Sequence, residues 1–193
     1  MSTPSAKSLL LALLLSGCAG NPSLPDPEPT SAADPVSEAA FRQSVALLQQ
    51  ARYRQTVELL EPVSRSRPDL PGVLVNLAIA YIHLDKQDEA RAALTQALAK
   101  APEHPAALNW LAILNRRGGR FDEAKTLYQR LLSAHPDYAP GHLNLGILCD
   151  LYLHQPACAL EHYQHYQRLV PGQDQQVTQW IADLQRRLPG GTR

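Results

Sequence analysis

Four prolines, Pro68, Pro102, Pro136 and Pro171, stand about 34 residues apart and divide most of the chain into units of one length. A proline ends a helix at or before the residue preceding it, because its ring crowds that residue out of the helical conformation and its nitrogen carries no proton. Between the prolines the chain has helical periodicity. In the unit 105–138, Leu108, Leu111, Ala112 and Asn115 fall at i, i+3, i+4 and i+7, and Ala124, Leu127, Tyr128 and Leu131 repeat that spacing. Each set makes one stripe along a helix. Gly118-Gly119 separates the two stripes, since glycine readily takes the left-handed conformation that closes a helix. Asp122 and Glu123 stand where the positive end of the second helix dipole favours negative charge. The spacing predicts an αα-hairpin whose apolar faces cannot all be buried within the unit.

Small residues recur in phase. Thr56, Ala90, Ala124 and Ala159 mark the second helix of each unit, and Ser44, Ala78, Ala112 and Gly146 mark the first. Facing small residues let two helices pack closely. With its period of about 34 residues, this pattern resembles the tetratricopeptide repeat family. The resemblance implies an all-α fold, a right-handed superhelix or α-solenoid of four helix hairpins at 37–70, 71–104, 105–138 and 139–172. A last stripe, Val177, Trp180, Ile181, Leu184 and Leu188, predicts a capping helix at 174–188, with Asp183, Gln185, Arg186 and Arg187 toward water. The domain is then 37–188, followed by a tail at 189–193. The sequence departs from the family at its aromatic position (Ala40, Leu74, Leu108 and His142) and at its tyrosine, kept only as Tyr81 and replaced by Leu47, Asn115 and Cys149. The fourth unit holds one extra residue near Gln155-Pro156-Ala157. Pro62 predicts a kink or a shortening in the second helix of the first unit.

The amino terminus has a different character. Lys7 precedes an apolar run at 9–15, followed by Ser16, Gly17 and Cys18. The run is too short to span a bilayer as a mature helix and has the layout of a secretory signal over 1–17. Leu15-Ser16-Gly17-Cys18 closely resembles the lipobox of bacterial lipoprotein precursors. That resemblance implies diacylation of the Cys18 thiol, cleavage before Cys18 and acylation of the new amine, and two or more acyl chains anchor firmly where one is marginal. Ala19 stands where an aspartate would retain such a protein in the inner membrane, so the implied location is the outer membrane, lipid-anchored and facing the periplasm. Residues 18–36, with Pro22, Pro25, Pro27, Pro29 and Pro35, form a linker that tends to polyproline II. At about 3.1 Å per residue it reaches on the order of 50 Å.

Charge and motifs narrow the function. Lysine plus arginine equals aspartate plus glutamate, 18 each; loss of 1–17 removes Lys7 and no acid, leaving 17 against 18. No basic field for nucleic acid exists. His162 and His165, three apart on one predicted helix near His154, make half a metal site, but no third ligand is evident except Cys158, and they read as part of a polar helix face. The expectation is no metal and no cofactor. No glycine-rich phosphate loop follows a strand, and no nucleophile constellation is present, so the chain reads as neither an enzyme nor a binder of small-molecule substrates. Cys149 and Cys158 fall on antiparallel helices joined by a short turn, and a disulfide between them suits an exported protein.

Stacked hairpins curve, with the first helix of each lining the concave side. The positions that the family turns inward are Phe41, Val45 and Leu48 in the first repeat, and Val75, Asn76, Ile79, Ile82 and His83 in the second. The third offers Asn109, Ile113, Arg116 and Arg117, and the fourth Leu143, Asn144, Ile147, Asp150 and Leu151. In the family an asparagine at the place of Asn76 and Asn144 often grips a peptide backbone, since an amide both donates and accepts. The resemblance implies a scaffold or adaptor of the cell envelope that holds a protein or peptide partner in this groove. Two alternatives are a pilotin-like lipoprotein for type IV pilus or secretin assembly, and an adaptor recruiting an envelope protease or peptidoglycan hydrolase.

Overall fold

A computed structural model describes residues 34–172 and 174–188. The predicted signal segment, Cys18 and the linker before Asp34 lie outside the described residues. Among the described residues there are nine helices and no strands: α1 (Pro35–Gln49), α2 (Tyr53–Ser66), α3 (Pro71–His83), α4 (Gln87–Lys100), α5 (Pro105–Arg117), α6 (Phe121–Ala134), α7 (Ala139–Leu151), α8 (Pro156–Leu169) and α9 (Gln175–Arg187). α1, α3 and α5 each pack on the even-numbered helix after them and on the next odd-numbered one, α7 packs on α8, and α9 packs on α8. This is the α-solenoid that the repeat spacing predicts. None of these helices is long and apolar enough to cross a membrane.

The repeating prolines act as read from the sequence. α2, α4, α6 and α8 end two residues ahead of Pro68, Pro102, Pro136 and Pro171. The residue between, Arg67, Ala101, His135 or Val170, has left the helical conformation, as the proline ring requires. The turn inside each hairpin repeats too. Ala51, Asp85, Gly119 and His154 have φ of 56°, 59°, 74° and 52°; the first three sit two residues past the first helix and His154 one residue further on. The amide after each turns back to a helical carbonyl: Arg52 to Leu47, Lys86 to Tyr81 and Arg120 to Asn115, all at 2.9 Å, and Gln155 to Cys149 at 2.8 Å. The last spans one residue more, so the extra residue of the fourth repeat is absorbed in the loop between α7 and α8. Only the third turn uses glycine; the others hold side chains in a conformation that glycine adopts freely.

The small residues are where close packing needs them. Ser44, Thr56, Ala78, Ala90, Ala112, Ala124 and Ala159 are fully buried. At Gly146 an added Cβ would come within 2.5 Å of the Tyr163 ring, so Tyr163 occupies the space that Ala78 and Ala112 fill in the two inner repeats. Cys149 and Cys158 are joined in a disulfide between α7 and α8, with their Cα atoms 5.9 Å apart.

Three expectations change. The linker was read to run through 36, but Pro35 is the first residue of α1. Asp34 caps that helix, accepting from the amides of Val36 and Ser37 at 3.1 and 3.0 Å, and proline suits this place because its missing proton has no helical acceptor there. Pro62 does not shorten α2, which has the same 14 residues as α4, α6 and α8. Pro62 and Glu58, whose carbonyl loses its partner, both lie on the exposed face, where water replaces the bond. In α9, Val177 and Leu184 are buried as expected, but Asp183 is half-buried and bonded to Arg187, which also reaches Asp150 of α7.

The strained turn gives a direct test. Ala51→Gly relieves a left-handed alanine at the cost of a looser unfolded chain, and is expected to raise stability by about 0.5–1 kcal/mol. Urea unfolding of the two chains measures this, and an unchanged or lower midpoint would contradict the turn geometry.

Candidate functional site

The first helix of each inner hairpin is enclosed on nearly every side. All residues of α3 from Val73 to Ile82 are buried, as are nine of the thirteen in α5. Seven residues expected to line the groove are therefore inside the stack: Val75, Asn76, Ile79, Ile82, Asn109, Ile113 and Asn144. Phe41 and Leu48 are buried as well, and Val45 is half-buried. The asparagines join one repeat to the next. Asn76 Nδ2 donates to Ser44 Oγ of α1 at 2.9 Å, and Asn144 Nδ2 donates to Asn109 Oδ1 of α5 at 3.2 Å and to the Pro140 carbonyl at 2.9 Å. With the helices this close, those amides have no room to hold a peptide. These buried amides instead donate across the repeat boundary, although Asn76 Oδ1 is buried without a hydrogen-bond partner among the described residues.

What remains open is the carboxyl end of this face. His83 and Arg117 are exposed, Arg116, Leu143, Ile147 and Asp150 are half-buried, and Leu151 and Tyr152 are 56% and 41% exposed. His83 stacks flat on Tyr53, with ring centroids 4.1 Å apart, and meets Trp110 edge-on. Partial burial first, and the positive charge of Arg117 second, disfavour protonation of His83. Arg116 and Arg117, expected as one basic edge, separate. Arg116 lies over the ring of Tyr152, 5.8 Å from its centroid, and Tyr152 packs on Phe121. Nη1 of Arg116 and the hydroxyl of Tyr128 are both buried without a hydrogen-bond partner among the described residues.

Beside this surface, α7, α8 and α9 enclose an open cleft of about 360 Å³ lined by Ile147, Asp150, Leu151, His154, Tyr163, Trp180, Asp183 and Arg187. Arg187 spans its rim, bonding Asp150 at 3.1 Å and Asp183 at 2.8 Å. Tyr152, Trp180, Asp183 and Arg187 were not among the expected site residues. Their meeting with Ile147 and Asp150 depends on how α9 docks, which no local pattern encodes.

A second cluster lies at the opposite end of α7. His142, read in the sequence only as a departure from an aromatic position, meets both His162 and His165 of α8. Its Nδ1 is 3.1 Å from Nδ1 of His162, its Nε2 is 2.8 Å from the Pro136 carbonyl, and its ring stacks on that of His165 at 4.9 Å. Since a carbonyl only accepts, His142 donates through Nε2 and its Nδ1 carries a lone pair. Burial disfavours the charged form of both members of the close pair, most at His162, where protonation is pushed down to about 4.

Residues 75–139 match the family model described as tetratricopeptide repeat. The fold is similar to that of PilF from Pseudomonas aeruginosa, with a TM-score of 0.71 and 21% identity over 79% of this chain and 68% of that one. It is also similar to MamA from Desulfovibrio magneticus RS-1, with a TM-score of 0.65 and 18% identity over 81% of this chain and 87% of that one. A third similar structure, MamA from AMB-1, has a TM-score of 0.60 and 23% identity over 78% of this chain and 81% of that one. At these identities the likeness concerns the fold.

The close histidine pair makes stability depend on pH. The unfolded chain takes up protons near the ordinary histidine value of 6.5, whereas folded His162 resists down to about 4. The contribution is complete above 6.5 and is lost as pH falls from there toward 4. In EDTA-containing buffer the unfolding free energy is expected to drop by on the order of 1 kcal/mol between pH 7.5 and 5.0, discounted for partial exposure. His162→Asn should flatten that drop, and an equal drop in the variant would place its source elsewhere.

Proposed function

We propose that this chain, built of tetratricopeptide repeats, is a lipid-anchored adaptor of the bacterial cell envelope, held in the outer membrane and facing the periplasm. It binds a protein partner at the carboxyl end of the concave face. The fold is generally a non-catalytic scaffold for protein interaction. The observation that carries the binding site is the exposed apolar pair Leu151 and Tyr152 beside the cleft under Trp180. Contiguous exposed apolar surface rimmed by charge is the usual mark of a partner site. Here Arg117 stands on one side, with Asp150, Asp183 and Arg187 on the other, and the half-buried Leu143 and Ile147 continue the apolar floor. The apolar partner side chain would enter the cleft, and the charged rim would set its register.

The anchor rests on the sequence from Lys7 to Ala19, and the linker gives the repeats reach from the membrane surface. A pilotin-like role in type IV pilus or secretin assembly is the second reading, favoured by the likeness to PilF. An adaptor that recruits an envelope protease or a peptidoglycan hydrolase uses the same face.

Two experiments decide. Radioactive palmitate is expected to label the expressed protein and to be lost on Cys18→Ala; labelling that persists removes the anchor. Immobilised protein should capture its partner from detergent-solubilised envelopes, identified by mass spectrometry. A secretin favours the pilotin reading, and a hydrolase or protease favours the recruiting adaptor. Leu151→Asp, at an exposed position that leaves folding intact, is expected to weaken capture at least tenfold. Capture unchanged by this substitution would move the site off the carboxyl end of the face.

A further inference from the structure

The histidine cluster of the fourth repeat is unused by the partner-binding face. Three imidazoles lie together between the start of α7 and the middle of α8, and two of them, His142 and His162, bring ring nitrogens into contact. His142 is almost fully buried, and His162 and His165 are half-buried. Buried histidines held neutral and close together carry a cost that ordinary packing residues at these positions would avoid. Three aspects of the arrangement match a metal-binding imidazole pair.

The first is the distance. Nitrogens that share a tetrahedral metal ion, each about 2.0–2.1 Å from it, lie roughly 3.3 Å apart. The two Nδ1 atoms are 3.1 Å apart, so the spacing is already close, and each ring must turn until its lone pair leaves the line between the nitrogens and points at the shared ion. The second is orientation. His142 gives its Nε2 proton to the Pro136 carbonyl at 2.8 Å, which fixes the ring and leaves the Nδ1 lone pair aimed at His162. A histidine ligand almost always gives its other ring proton to such an acceptor. The third is the surroundings. His165 stacks on His142, giving its own Nδ1 proton to the Glu161 carbonyl at 3.0 Å. The Glu161 carboxylate acts favourably on positive charge at both members of the pair, while Arg168 opposes it at His142.

We propose that His142 Nδ1 and His162 Nδ1 bind one divalent cation of the borderline d-block type, Zn²⁺, Ni²⁺ or Cu²⁺. Among the described residues no set of three histidine, cysteine, aspartate or glutamate side chains is placed to hold a metal. The site is therefore open, with two imidazoles from the protein and the remaining positions filled by water on the half-buried side. Imidazole suits these ions, whereas Mg²⁺ and Ca²⁺ require oxygen ligands. His162 must move its proton from Nδ1 to Nε2 to present a lone pair, a tautomer change without net charge. The ion would cross-link α7 to α8 at the end of the hairpin opposite the Cys149–Cys158 disulfide.

The test uses the purified untagged chain carrying Cys18→Ser, so that no free thiol competes. Titration with Zn²⁺ and with Ni²⁺ at pH 7.5 is expected to show one ion per chain, with a dissociation constant on the order of micromolar. His142→Ala or His162→Gln should each weaken binding at least tenfold, while His154→Ala, at an exposed position, leaves it unchanged. Circular dichroism reports whether each variant is folded. In the chain with all histidines intact, electron paramagnetic resonance of the Cu²⁺ adduct reads the nitrogen ligands without any histidine substitution, and two imidazole nitrogens are expected. Absence of one-to-one binding, binding indifferent to His142 and His162, or a copper spectrum without two nitrogens overturns the site.

Discussion

Enclosure of the first helix of each hairpin is the constraint on which the remaining structure depends. A helix that touches its own partner, the helix before it and the first helices on either side has almost no face left for water. Its residues must then be apolar, small or mutually satisfied. α3 meets this with ten consecutive buried residues, and its one side-chain amide, Asn76, donates one hydrogen bond to Ser44 in the preceding repeat while its Oδ1 is left unpaired among the described residues. Close approach within each hairpin depends on Ala78, Ala112 and their partners being no larger than alanine, and where the chain has Gly146 the ring of Tyr163 fills the difference. Leaving a buried amide unpaired would cost about 1–3 kcal/mol, so Asn109 and Asn144 meeting each other contribute register as well as stability.

The fold was legible because its punctuation is local. A proline ends its helix through contact with the residue before it, and the left-handed turn follows from the need to close the first helix after a fixed number of residues. Both repeat with the sequence period, so helix ends at Ser66, Lys100, Ala134 and Leu169 could be read directly. Pro35 was misplaced because it lies among linker prolines. Its helical role depends on Asp34 as a cap, a distinction that spacing alone does not make.

The candidate site was less legible, for the opposite reason. Turning a repeat pattern into a groove assumes that inward-facing positions are open. The stretch 73–82 is apolar on all sides, with one asparagine, and all-round apolarity marks a buried helix rather than a groove wall. That signal was present, and it separates Val75, Ile79 and Ile82, which are enclosed, from Ile147 and Leu151, which lie beside Asp150 in α7, the first helix of the last hairpin. Other members of the site come from residues distant in sequence. Arg187 reaches Asp150 across 37 residues, and His142 reaches His162 across 20, so neither pair carries a periodic signature.

The fourth repeat combines these themes. It differs from the others at four places: its turn is one residue longer, Gly146 stands where the inner repeats have alanine, His142 where the others have Ala40, Leu74 and Leu108, and Cys149 where they have Leu47, Tyr81 and Asn115. Each departure is answered by a specific contact between α7 and α8. The longer turn still closes on Cys149, Tyr163 packs on Gly146, Cys149 bonds Cys158, and His142 meets His162. The hairpin next to the open face is thus fastened covalently at one end and by a histidine pair at the other, where the first hairpin is closed by the Arg67–Asp34 ion pair at 2.9 Å. Under the proposed binding mode, a partner held at the end of this short stack loads this hairpin first. It has one neighbouring repeat and a single capping helix, whose own hold includes the Arg187 bridge at the rim of the cleft. In that mode the disulfide across the loaded hairpin keeps the short stack from fraying beneath the partner.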